Sequence, residues 1–110
     1  MKIIFDENVP WPMRAFLNDF SVTSVQREGL GGKENGELLE CLDGHFDIFI
    51  LADKSLRYQQ NLSVRKIAII ELPTNRWPIL KQLEGEIVKG VRTSAPGSYI
   101  VISLPTEQNG

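Results

Sequence analysis

A single cysteine, Cys41, in a chain of 110 residues excludes an intrachain disulfide, and a single histidine, His45, leaves too few nitrogen and sulfur ligands for a structural zinc site. Long apolar runs are missing as well. Ile3-Ile4-Phe5 stops at Asp6, and Ile48 to Ala52 stops at Asp53; both are too short for a membrane span or a signal-peptide core. These absences predict a reducing, cytoplasmic setting with no membrane partner. Positive charge is also scarce. Twelve Lys and Arg against 14 Asp and Glu give a net charge of −2, so the overall field does not attract nucleic acid, and any such binding needs a local patch. What remains is ordinary globular usage, 42 % hydrophobic and 24 % charged, which fits neither a disordered tail nor a fibrous repeat. At this length it predicts one domain, residues 1–104, followed by a polar tail over 105–110.

Hydrophobic periodicity then predicts the elements. Lys2 to Phe5 reads as a buried strand, closed by Asp6-Glu7-Asn8 and the prolines at 10 and 12. Met13, Phe16, Leu17 and Phe20 recur at helical spacing, and Ser21 to Val25 is β-branched and reads as a second strand. After Gly29-Leu30-Gly31-Gly32, Asn35 is a plausible N-cap for a helix with Glu37 in its first turn and Leu38, Leu39 and Leu42 inward. Asp47 to Ala52 and Ile67 to Ile70 read as strands covered on both faces, with Ile48, Ile50, Ile67 and Ile69 inside. A helix through Ile79, Leu80, Leu83, Ile87 and Val88, ended near Gly90, and a last strand from Tyr99 to Ser103 complete the pattern. Strands alternating with helices predict an α/β fold with about five parallel strands and right-handed crossovers. Residues 54–62 read as a short helix or loop.

In such sheets ligands bind beyond the carboxyl ends of the strands, where strand order reverses. Asp6 follows strand one, Asp53 follows strand three and Glu37 opens the second helix, so all three are expected at one rim. Each also has an ordinary reading, as a cap, a turn residue or a complement to a helix dipole. Together, clustered carboxylates without His or Cys favour magnesium or manganese, which can polarise a phosphodiester and activate water. Lys54, Arg57, Arg65, Lys66 and Arg76 are candidate phosphate contacts, and Gln59, Gln60 and Asn61 could orient a base or a water. Cys41 reads as a small buried hydrophobe, His45 as a surface turn residue, and Trp11 and Trp77 as packing residues, with base stacking as the alternative for the two indoles.

The order Asp6-Glu7-Asn8-Val9-Pro10, then Gly29-Leu30-Gly31-Gly32 before Asn35-Gly36-Glu37-Leu38-Leu39, then Phe46-Asp47-Ile48-Phe49 before Leu51-Ala52-Asp53-Lys54-Ser55-Leu56, resembles the small PIN-like proteins. The likeness continues through Arg57-Tyr58-Gln59-Gln60-Asn61-Leu62 and Asn75-Arg76, reaching about Ile102. It implies a PIN-like three-layer fold and a magnesium- or manganese-dependent ribonuclease, the toxin half of a toxin-antitoxin pair. Asp6, Glu37 and Asp53 would hold the metal, with Asn8, Lys54, Arg57, Gln60 and Asn75 as substrate contacts. RNA and an antitoxin protein are the implied partners, with self-association left open. Two positions depart from the pattern: Asn35 stands where many relatives carry an acid, and Leu51 where they often have threonine. These motivate an alternative, a degenerate module that binds RNA or protein without cutting. A phospho-accepting receiver is a third reading, which expects a lysine after a late strand; Glu71-Leu72-Pro73 and Ser103-Leu104-Pro105 offer none.

Overall fold

A computed structural model of the chain describes residues 1–33, 35–52 and 65–104. Five strands, β1 (Lys2–Phe5), β2 (Ser21–Ser24), β3 (Ile48–Leu51), β4 (Ala68–Glu71) and β5 (Tyr99–Val101), form one all-parallel sheet in the order β2-β1-β3-β4-β5. The expected α/β architecture is present. Helices α1 (Asn35–Leu42), α2 (Trp77–Lys81) and α3 (Glu84–Thr93), with a 3-10 helix over Trp11–Leu17, cover the two faces and make three layers.

Alternation along each strand divides the core in two. Ile3, Phe5, Ile48, Ile50, Ala68 and Ile70 face Met13 and Leu17 of the 3-10 helix and Leu80, Ile87 and Val91 of α2 and α3. On the opposite face, Ile4, Phe49, Leu51 and Ile69 meet Leu38, Leu39 and Leu42 of α1. Ile48, Ile50, Ile67 and Ile69 are buried as the apolar runs predicted. β4 begins one residue later than expected and includes Glu71, which is fully buried.

Three local readings change. The first helical segment is 3-10 rather than α, with Pro12 in its first turn and Phe20 beyond its end. The single helix expected around residues 79–90 is two: Leu83, at φ −105° and ψ 15°, leaves helical geometry between α2 and α3, and α3 runs past Gly90 to Thr93. Cys41 is half-buried rather than buried.

Crossover handedness also departs from expectation. The β1–β2 and β4–β5 connections cover the same face but move in opposite directions along the sheet, so they are of opposite hand. The β2–β3 connection through α1 covers the other face and shares the hand of β1–β2, so that β4–β5 differs in hand from these two. At Gly90, α3 lies so close to the sheet that a Cβ there would be 3.3 Å from Ile102 Cδ1 and 3.7 Å from Ile100 Cγ2.

Candidate functional site

Strand order reverses between β1 and β3, because the chain leaves β1 for β2 on one side and returns to β3 on the other. That reversal makes the carboxyl ends of β1 and β3 the switch point, the place where ligands of such sheets bind. Asp6 is at this end of β1: its backbone N–H donates to the Ile50 carbonyl at 2.9 Å, and the Phe5 carbonyl accepts from Val25 N–H at 2.9 Å. These bonds extend the ladder one residue beyond β1. Continuing the register of Phe5 with Ile50 and of Leu51 with Glu71 puts positions 6, 51 and 71 in one row across the sheet. By alternation all three fall on the α1 face.

Glu37 reaches the same rim from α1. This helix runs back along the sheet after β2, so its first turn is at the carboxyl end and Glu37, exposed there, complements the positive end of the helix. Asn8 and Asn75 are on the rim too, in the segments after β1 and β4; Asn75 is exposed. Asp53, Lys54, Arg57, Gln59, Gln60 and Asn61 lie outside the described residues, as do the expected structure over 54–62 and the tail over 105–110. Asn35 is the first residue of α1, within the helix rather than before it.

Glu7, by contrast, has a structural task. Its Oε2 accepts from Gly32 N–H at 3.2 Å and its carbonyl accepts from Gln26 Nε2 at 3.3 Å, so the loops after β1 and β2 are fastened together. Arg65 and Lys66 precede β4 and belong to the opposite, amino-terminal end of the sheet, which removes them from the expected phosphate-binding rim. Arg76, exposed at the start of α2, remains beside it. Concavities of about 370 and 510 Å³ open at the amino-terminal end, sharing Asp47, Lys66 and Pro96. Depth alone does not make them the functional site, since they lie far from the switch point.

A divalent cation can be tested against the donors present. Oxygen ligands alone suit magnesium or manganese, and Asn8 Oδ1 is shielded from solvent with no hydrogen-bond partner among the described residues, an acceptor oxygen that a hard cation would satisfy. Among the described residues no three His, Cys, Asp or Glu side chains are gathered closely enough to hold a metal. A third carboxylate, such as Asp53, would come from outside the described residues.

Two groups near the rim escaped the sequence reading. Glu71, read as the end of a strand, is instead inside it, and its Oε1 accepts from Tyr99 Oη at 2.6 Å. Arg14 and Arg27 lie over the Trp11 ring, with guanidinium carbons 4.9 and 4.3 Å from its centroid. Trp11 packs edge-on against Phe5 and Trp77 stacks on Phe16, which bears out the packing role expected of both indoles. His45 is an exposed turn residue, also as expected.

Comparisons with family models, curated proteins and solved structures give no match to this chain. Among the described residues no helix is long and apolar enough to cross a membrane.

Proposed function

We propose that the protein is a metal-dependent ribonuclease whose site is the carboxyl-terminal rim of the sheet. The observation that carries this reading is Asp6 held by backbone bonds at the β1–β3 switch point, with Glu37 brought to the same rim by α1. In this reading Asp6, Glu37 and Asp53 hold magnesium or manganese, with the Asn8 amide oxygen as a neighbouring donor. The cation would polarise the phosphodiester and lower the pKa of attacking water. The chain's own part is to fix the carboxylates on rigid strand and helix ends and to steady the strand through Lys54, Arg57, Gln60, Arg76 and Asn75. A cytoplasmic toxin paired with an antitoxin protein is the cellular role that the PIN-like resemblance favours.

Asn35 and Leu51 favour a second reading, a module of the same fold that binds RNA or a protein without cutting. The receiver reading is weaker, because no lysine follows β4 or β5 in Leu72-Pro73 or Ile102-Ser103-Leu104.

Purified protein is expected to cleave RNA of mixed sequence with magnesium or manganese, and folded Asp53→Asn to lose that cleavage. Folded wild type that binds RNA and leaves it intact with either metal would establish the non-cleaving module instead. Persistent cleavage by Asp53→Asn would remove Asp53 from the ligand set while keeping the enzyme class.

A further inference from the structure

We infer that a concavity of about 340 Å³ lined by Val9, Trp11, Ser24, Gln26 and Arg27 is a phosphodiester-binding subsite for single-stranded RNA. The inference rests on the ribonuclease reading for the identity of the polymer, but it requires no metal. The concavity is at the carboxyl ends of β1 and β2, on the sheet face opposite to position 6, so a strand crossing the rim would meet both.

The pairing of the two arginines distinguishes this patch from ordinary surface. Arg14 and Arg27 are exposed, share one indole, and form no ion pair among the described residues. Arg92 shows the usual alternative: it lies over Phe20 at 5.4 Å and is paired with Asp19 at 2.9 Å. The acids closest in sequence to the patch are engaged elsewhere, Glu28 by the Thr23 hydroxyl at 2.8 Å and Glu7 by Gly32 N–H. In a chain of net charge −2, two guanidiniums on one ring with no acidic partner among the described residues are a local positive site.

Their donors are also available. A guanidinium has five N–H donors in a planar fork; Arg14 uses one on the Trp11 carbonyl at 3.1 Å, and the Arg27 backbone, not its side chain, bonds Ser24 Oγ at 3.2 Å. Such forks match phosphate oxygens in pairs, and their contact with the Trp11 ring holds the two guanidiniums side by side. Gln26, through its bond to the Glu7 carbonyl, couples the subsite to the acidic turn after β1.

Binding of a labelled ten-nucleotide RNA by anisotropy, with the metal chelated, tests the subsite apart from cleavage. Arg14→Ala and Arg27→Ala should each weaken binding several-fold and reduce the slope of log affinity against log salt by about 0.7, the value for one phosphate contact on a single strand. Lys89→Ala, an equal charge change on exposed α3 surface, should leave the slope unchanged. In Trp77→Phe protein, where Trp11 is the sole indole, RNA should alter the emission. Arginine variants indistinguishable from Lys89→Ala, no RNA binding by wild type, or equal displacement by an acidic peptide of the same charge would each overturn the subsite. Arginine-dependent binding without cleavage in any metal would retain the subsite and remove the ribonuclease reading.

Discussion

Asp43 shows how one carboxylate can anchor an element distant in sequence. It follows α1, and its Oδ1 accepts from the backbone N–H groups of Lys66 and Ile67 at 2.8 and 2.9 Å, fixing the entry to β4. Asp43→Ala strands both donors and is expected to cost about 1–3 kcal/mol, whereas Asp43→Asn retains an acceptor and should cost less than half as much. Urea unfolding measures both. In the sequence Asp43-Gly44 is legible only as a turn, because its partners are 23 and 24 residues away. Glu71 was hidden for the same reason: a glutamate after an apolar run reads as a solvent-exposed terminator until Tyr99 is known to pack against it. The rim acids Asp6 and Glu37 were more legible, since strand ends and helix starts follow from local pattern.

Among the elements, the strands were readable because double-sided burial leaves unbroken Ile, Leu and Phe runs. Helices were less so. The stripe of Met13, Leu17 and Phe20 does not separate a 3-10 from an α-helix when the segment is short and opens Trp11-Pro12. Likewise, apolar spacing continued through Leu83 although the backbone breaks there, because Leu83 is buried on either account. The close approach of α3 to the sheet gives a test at this scale. Gly90→Val should push against Ile102 and Ile100 and lower stability by about 1–3 kcal/mol, a fall in Tm of roughly 4 °C or more for a domain of this size. Gly85→Ala, where an added Cβ meets nothing within 4 Å, should leave Tm unchanged or slightly raised. Equal losses at both positions would contradict the packing described for Gly90.

For the whole molecule, alternation of strands and helices predicts a parallel sheet but not which strands are neighbours. The order β2-β1-β3-β4-β5 comes from pairing, and it alone identifies the carboxyl ends of β1 and β3 as the switch point. With that order, one rim carries Asp6 and Glu37 toward the α1 face and, toward the face of the 3-10 helix, Arg14 and Arg27, which form no ion pair among the described residues. In the proposed reading, a polyanion would have its phosphates held on one side and attacked on the other. The most direct measurement is manganese-dependent RNA cleavage by Asp6→Asn protein against wild type, with unfolding midpoints compared to confirm that both are folded. Loss of even an outer partner at a metal site costs on the order of 10–100-fold, so the proposed ligand Asp6 should cost at least about a hundredfold in rate. Equal cleavage by the two folded proteins would contradict the assignment of the switch-point rim as the site.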